Sequence, residues 1–130
     1  EIITHNAKFD GYDSDGKDIV ILGFDSMSSR LEAIDIIIKL MKTKPYCLID
    51  GRMGAEHYQQ YTFKDLTMGM YKKYWYSDEE GDPEPCSMKA TSYCSNMAGS
   101  FIVNTIRKVL TEQPYDKNFN FNFPLLRLGK

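Results

Sequence analysis

Two continuous apolar runs, separated by a segment of helical periodicity, stand out in the first half of the chain. Residues 18–25 (DIVILGFD) and 46–50 (YCLID) are short apolar runs that end in aspartate, a pattern typical of strands buried on both faces of a parallel sheet. Between them, Ser29 and Glu32 fit a capping box, apolar residues recur at helical spacing, and Pro45 ends the helix. The order strand, helix, strand predicts a βαβ crossover with parallel strands.

Beyond the crossover, the pattern predicts antiparallel strands and a long helix. Strands are expected at 56–63, 119–123 and 125–128, and helices at 66–76 and 96–110. Asn96 is expected to cap the long helix. The turn at 51–54 is so short that the strand after it must run antiparallel to a neighbour. Residues 2–4 could add a short neighbouring strand, whereas 6–17 and 77–85 are predicted to be loops.

Composition limits the chain to a few classes of protein. Its 130 residues suit one α/β domain, 1–130, with its own hydrophobic core. The 16 Lys and Arg residues against 18 Asp and Glu give a net charge of −2, which argues against nonspecific nucleic-acid binding. The aromatic cluster at 58–76 is accordingly interpreted as packing against the sheet and not as a platform for stacking bases.

The expected location of the protein follows from three features of the sequence. No apolar run reaches the roughly 20 residues needed to cross a bilayer, and the N-terminus has no signal-peptide pattern. Three cysteines, an odd number, fit reduced thiols in the cytoplasm. The chain begins at Glu1 and not at Met, which suggests a cleaved, trimmed or partial product.

Two residues at predicted strand ends are candidates for ligand binding. Asp25 follows the first buried strand, where open α/β sheets place ligand-binding groups, and could hold Mg²⁺ that bridges nucleotide phosphates. It could equally cap the next helix. Arg52 follows the second strand and could clamp an anion or pair with a surface carboxylate. The nine glycines form no GxG pair and no GxxxxGK motif, so the sequence lacks the usual phosphate-binding loop.

The cysteines and histidines give weaker signals. Cys47 lies in a predicted strand and is expected to be a core residue. Cys86 follows the acidic loop and Cys94 precedes a predicted helix, so either thiol could be reactive or inert. The chain has no CxxC pair, and His5 and His57 are far apart in the sequence. Zinc is therefore not expected, and both histidines are interpreted as surface groups.

Taken in order, four segments resemble the ThiF/MoeB/HesA family, adenylyltransferases related to ubiquitin-activating enzymes. The segments are an apolar strand that ends in Asp25-Ser26 with Arg30 a few residues on, the strand and turn at 46–54, the strand at 56–63, and EPCSMK at 84–89 followed by a long helix. Their order and spacing carry the resemblance, which covers roughly residues 2–128. Ser26 stands where the family usually has Asn.

The resemblance implies an activity and a set of site residues. Members of the family use ATP and Mg²⁺ to adenylate the C-terminal glycine of a ubiquitin-like or sulfur-carrier protein, and they are usually dimers. Asp25 matches the family's Mg²⁺/ATP aspartate, and Arg30 and Arg52 are the nearby candidates for binding ATP. Cys86 matches a crossover-loop cysteine that is catalytic in some members. The zinc-binding CxxC pairs of many bacterial members are absent, which implies a zinc-free branch. Because members of the family are usually dimers, the resemblance also implies a homodimer.

The family domain is about twice as long as this chain, so the resemblance implies that the chain is its C-terminal half. The expected fold is then a Rossmann-like, three-layer mixed sheet, and the glycine-rich ATP loop belongs to the other half. Such a chain is expected to be inactive alone. The alternative is a catalytically silent α/β module that presents the aromatic and acidic surface of residues 66–85 to a partner protein. Asp25 favours the enzyme, and the missing phosphate loop favours the module.

Overall fold

One open, mixed sheet organises the part of the chain that the computed structural model describes, residues 1–80 and 91–130. Its elements are β1 (Ile19–Leu22), α1 (Met27–Lys39), β2 (Cys47–Met53), β3 (His57–Lys64), α2 (Met68–Lys72), α3 (Ser92–Leu110), β4 (Asn118–Asn122) and β5 (Arg127–Gly129). The strand order in space is the order in sequence, β1 to β5. β1 and β2 are parallel, and the later pairs are antiparallel. The predicted crossover and the antiparallel third strand are both confirmed.

Helices cover the sheet on both faces. Apolar side chains of α1 and α2 pack on one face in a cluster that consists of Leu22, Ala33, Ile34, Ile37, Leu48, Phe63, Leu66 and Tyr71. On the other face α3 packs through Val109 against Cys47 and Ile49, and through Cys94 and Ala98 against Tyr58. The aromatic residues between 58 and 76 thus pack against the sheet, as interpreted from the sequence, and Cys47 is a core residue.

The start of α1 differs from the sequence prediction. The N-cap is Ser26, whose hydroxyl accepts a hydrogen bond from the backbone N–H of Ser29 at 3.1 Å. The proposed capping box of Ser29 and Glu32 is therefore wrong, because Ser29 already lies inside the first turn. The helix ends at Lys39, several residues before Pro45, so proline does not terminate it.

Contacts distant in sequence also move the ends of the other helices. α3 starts at Ser92 with Thr91 as its N-cap, since the Thr91 backbone N–H and hydroxyl both donate to the carbonyl of Ala55, at 3.2 and 3.0 Å. Asn96 is therefore inside the helix and does not cap it. The predicted 66–76 helix shortens to α2, and Arg52 binds the carbonyl of Tyr74 at 2.7 Å just beyond its end.

Two strand predictions are also corrected. Residues 2–4 form no strand, and Ile2 and Ile3 are largely exposed, so no burial holds them against the sheet. The predicted turn at 51–54 is mostly strand, because β2 continues to Met53, which pairs with Tyr58. Among the helices of the described residues, none has both the length and the apolar character required to cross a membrane.

Candidate functional site

A cavity of about 370 Å³ opens at the carboxyl ends of the parallel strands β1 and β2. The register pairs Leu22, the last residue of β1, with Asp50, so the final residues of β2 extend beyond the end of β1. Residues of the loop after β1, of the end of β2, of the start of α1 and of the segment after α2 line the cavity, including Gly23, Asp25, Arg30, Gly51, Arg52 and Asp78. This is the edge at which open α/β sheets bind ligands. The structure thus brings together three of the four predicted site residues.

Asp25 lies at the rim of this cavity. It is exposed, and its carboxylate makes no hydrogen bond or ion pair with any other described residue. The interpretation that Asp25 merely caps the next helix is wrong, because Ser26 is the N-cap. A free carboxylate on the short loop before the N-cap of α1 is available to a cation. Its assignment to Mg²⁺ remains a prediction.

Asp50 is the centre of a buried charge cluster beneath the cavity. Its side chain is fully buried and accepts four hydrogen bonds, shared between two arginines and a tyrosine. Oδ1 accepts from Arg30 Nη1. Oδ2 accepts from Arg52 Nε and Nη2, at 2.9 and 2.8 Å, and from the Tyr71 hydroxyl at 2.9 Å. A buried carboxylate needs such partners, because an unpaired charge in the interior is costly.

The guanidinium of Arg30 points into the protein. Besides Asp50, it donates to the backbone carbonyl of Leu22 at 3.5 Å and to that of Phe24. These carbonyls stand on the loop between β1 and α1, on either side of Gly23. Arg30 is only 5% exposed, so its contacts are with this loop and with β2. Its proposed contact with ATP remains a prediction.

Arg52 is equally buried, and it pairs with Asp50 and not with the surface carboxylate considered from the sequence. Its guanidinium also lies 4.3 Å from the ring centroid of Tyr61 and 5.5 Å from that of Tyr76, within cation–π range. Because β2 extends to Met53, Arg52 lies within the strand and not after it. Binding of an anion by Arg52 stays a prediction.

The charge cluster perturbs the tyrosine that it contains. Burial and then the adjacent Asp50 carboxylate raise the pKa of Tyr71 well above its ordinary value, so its hydroxyl stays a hydrogen-bond donor at neutral pH. With Arg30 and Arg52 both charged and Asp50 ionised, the cluster carries one excess positive charge. The wall of the cavity formed by these side chains is therefore cationic.

Asp78 provides a second carboxylate in the lining of the cavity. It accepts hydrogen bonds from the backbone N–H groups of Met27 and Ser28, at 2.6 and 3.1 Å. These two bonds, in that order, are the main reason that the pKa of Asp78 is lowered. The Trp75 indole donates to the carbonyl of Met27 at 2.8 Å and fastens the same segment to α1. The first amides of α1 are therefore already bonded to an anion of the protein itself.

The predicted thiols are not part of the described cavity. Cys86 lies outside the described residues. Cys94 is fully buried in the first turn of α3, on the other face of the sheet, instead of just before a helix. Burial raises the pKa of Cys47 to about 11, which makes that thiol unreactive at neutral pH. His57 is half-buried and not a surface group, whereas His5 is exposed.

The donor set of the cavity fits a cation only in part. Within residues 1–80 and 91–130, no group of three or more His, Cys, Asp and Glu side chains is placed to hold a metal. Asp25 suits a Mg²⁺ ion that takes its other ligands from phosphate and water, which is how magnesium is commonly bound. No set of free backbone amides accompanies it at α1, because Asp78 occupies those of Met27 and Ser28.

Sequence reasoning missed Asp50 and Asp78. Asp50 and Arg52 are two positions apart in a strand and so share a face, which is a signal that the sequence did contain. Nothing local could have identified Asp78, because its partners are about 50 residues away. Comparison of the chain with protein-family models, with curated proteins and with solved structures found no match.

Proposed function

We propose that this chain is the C-terminal half of an activating enzyme of the ThiF/MoeB/HesA kind, which uses ATP to adenylate the C-terminal glycine of a ubiquitin-like or sulfur-carrier protein. In this proposal the mixed sheet is half of a Rossmann-like domain. β1 pairs with β2 on one side only among the described strands, so its other edge is where the rest of the domain would continue the sheet.

The free carboxylate of Asp25 is the observation that carries the proposal. It stands at the carboxyl end of β1, at the rim of a cavity large enough for part of a nucleotide, and is not used for capping. The positions of Arg30 and Arg52 behind it give the cavity a cationic wall. A metal-binding carboxylate in front of a cationic wall suits a phosphate ester with its counterion.

Each residue has a definite task in the proposed reaction. Bound Mg²⁺ would neutralise phosphate charge while the carrier's carboxylate attacks the α-phosphate of ATP and pyrophosphate leaves. Asp25 holds and orients the cation, and Arg30 and Arg52 supply a fixed positive field. Where a covalent step follows, the Cys86 thiolate attacks the carbonyl of the acyl-adenylate, forming a thioester and releasing AMP. A reduced thiol of this kind fits the cytoplasm.

The proposal predicts that Asp25→Asn abolishes ATP–pyrophosphate exchange. The assay uses the full-length native gene product, Mg²⁺–ATP, labelled pyrophosphate and carrier proteins that end in Gly-Gly. The substitution removes a charge at an exposed position and no core packing, so the variant should fold normally. Asp35→Asn is the control, since Asp35 is a partly exposed aspartate within α1 that lies away from the cavity and, among the described residues, pairs with Lys39. Near-normal exchange in folded Asp25→Asn would exclude this carboxylate from the reaction.

A catalytically silent interaction module is the second candidate. It is favoured by one observation: both arginines are bound to Asp50 and the α1 amides are bound to Asp78, so the described residues present no free phosphate cradle. The aromatic side chains proposed for its surface are largely used internally, since Tyr71 is buried and Trp75 bonds to α1. Absence of exchange by the wild-type gene product with every carrier tested would favour the module.

A further inference from the structure

We propose that Asp50 is the positioning residue for Asp25, acting through Arg30. This inference rests on the proposed function for the role of Asp25 as a metal-binding carboxylate. The contacts among Asp50, Arg30 and the loop are independent of that function. Asp50 is 0% exposed and is not among the residues that line the cavity. Its two carboxylate oxygens have different partners: Oδ1 binds Arg30, while Oδ2 binds Arg52 and Tyr71.

The hydrogen bond between Asp50 Oδ1 and Arg30, here called the Arg30 arm, connects Asp50 to the loop that carries Asp25. Arg30, fixed by Asp50, donates to the carbonyls of Leu22 and Phe24. The second of these carbonyls belongs to the peptide bond that joins Phe24 to Asp25. The Arg30 guanidinium is planar and rigid, so it holds these two acceptors in fixed positions relative to β2. Asp50 therefore fixes, through Arg30, the orientation of the peptide bond that precedes Asp25.

The Phe24 side chain packs against the core cluster, but among the described side chains only Arg30 makes a hydrogen bond to residues 23–25. Ser26 fixes the start of α1 through Ser29, but its bond lies after Asp25. Gly23, on the other side, has open space where a Cβ would be, so packing does not restrain it. Without the Arg30 contacts, residues 23–25 would keep their ends and the packing of Phe24, but no hydrogen bond from a described side chain would fix the carbonyl that precedes Asp25. A carboxylate that must meet a cation within a few tenths of an ångström would then be misplaced.

The hydrogen bonds that Arg52 and Tyr71 donate to Asp50 Oδ2 allow a control variant that does not involve Arg30. Tyr71→Phe removes one hydrogen bond to Asp50 and keeps the ring, while both bonds from Arg52 remain. It leaves the Arg30 arm unchanged. A merely structural role of Asp50 predicts that weakening the hydrogen bonds of either carboxylate oxygen loosens the protein in the same way. A positioning role predicts that only loss of the Arg30 arm affects the loop.

The test compares Asp50→Asn, Arg30→Gln, their double variant, Asp25→Asn and Tyr71→Phe in the full-length gene product. Arg30→Gln leaves Asp50 and Arg52 as a neutral pair, so it keeps the test open if Asp50→Asn, which leaves two unpaired buried cations, fails to fold. The first readout is hydrogen exchange of the amides of residues 23–25. The second is the affinity for Mg²⁺–ATP measured by calorimetry.

We expect Arg30→Gln and Asp50→Asn to speed exchange of these amides at least tenfold and to weaken Mg²⁺–ATP binding about as much as Asp25→Asn does. The double variant should bind no more weakly than Arg30→Gln alone, and Tyr71→Phe should change neither readout more than twofold. Unchanged amide exchange in folded Arg30→Gln overturns the proposal. If Asp25→Asn itself leaves binding unchanged, the proposed function fails, and amide exchange alone then decides whether Asp50 positions the loop.

Discussion

Arg52→Met should destabilise the protein, because Arg52 is buried in the charge cluster and pairs with Asp50 instead of the surface carboxylate that the sequence left open. The guanidinium of Arg52 donates twice to Asp50 and once to the Tyr74 carbonyl. It also stacks on Tyr61. Methionine fills much of the same volume but makes none of these bonds, so Asp50 keeps only Arg30 and Tyr71.

The magnitude follows from two opposing terms. Removing one partner of a buried ion pair typically costs about 3–5 kcal/mol, because the other charge stays buried. Here the cost is reduced, since Arg30 still neutralises Asp50 and no longer faces a second cation. We therefore expect the free energy of unfolding to fall by about 2–4 kcal/mol.

The assay is urea unfolding, monitored by tryptophan fluorescence and circular dichroism. The free energy of unfolding must depend on urea concentration with the same slope in the wild type and in the variant. Arg107→Met is the control, because Arg107 is exposed on α3 and its side chain makes no ion pair or hydrogen bond with a described residue. Its effect should stay within about 0.5 kcal/mol. A loss below about 1 kcal/mol for Arg52→Met would refute the view that the cluster is a structural centre.

Three further predictions address the thiols, the acid sensitivity and the isolated chain. In the full-length gene product, Cys86→Ser should block covalent transfer and leave adenylate formation intact, whereas Cys94→Ser should leave both steps unchanged. Thioester trapping on gels measures the transfer, and pyrophosphate exchange measures adenylate formation. Because the α1 amides lower the pKa of Asp78, its stabilising effect is complete above the unfolded-state pKa of about 4 and is lost as the pH falls through the lower folded-state value. The stability difference between wild type and Asp78→Asn should accordingly narrow below about pH 4, and a pH-independent difference in urea unfolding would contradict this. Residues 1–130 alone should bind Mg²⁺–ATP with a dissociation constant in roughly the millimolar range, and micromolar binding by calorimetry would reveal a phosphate site other than the one described.

The parallel strands and the long helix could be predicted because their signals are local. Apolar runs at 18–25 and 46–50 specify strands wherever they are placed, and α3 carries its own apolar stripe. Burial on both faces was predicted for both strands and holds for β2 only, since Ile21 of β1 is 47% exposed. Element ends could not be predicted, because contacts distant in sequence decide them. Thr91 starts α3 through Ala55, 36 residues away, and Arg52 binds the carbonyl of Tyr74 where the α2 region leaves the helix.

The candidate site divides in the same way. Asp25 was found because a carboxylate after a buried strand is a local pattern with a known place in α/β sheets. The tasks of Arg30 and Arg52 could not be found, because they depend on Asp50, which the sequence shows only as the last residue of an apolar run. Two arginines near a predicted ligand site look alike in sequence, whether their guanidinium groups face a ligand or a buried carboxylate.

The charges around the cavity favour ligands of different charge in the two candidate functions. Asp25 and Asp78 stand at the opening, and Arg30 and Arg52 share the single negative charge of Asp50 behind it, which leaves the described groups with a net charge of −1. A triphosphate that enters this cavity must bring its own cation, and it also needs positive groups from outside the described residues. A basic peptide needs neither, because the carboxylates at the opening attract it directly. In the proposed enzyme, nucleotide binding would therefore depend on Mg²⁺ and on positive groups outside the described residues, whereas attraction of a basic partner by the proposed interaction module would need only the described carboxylates.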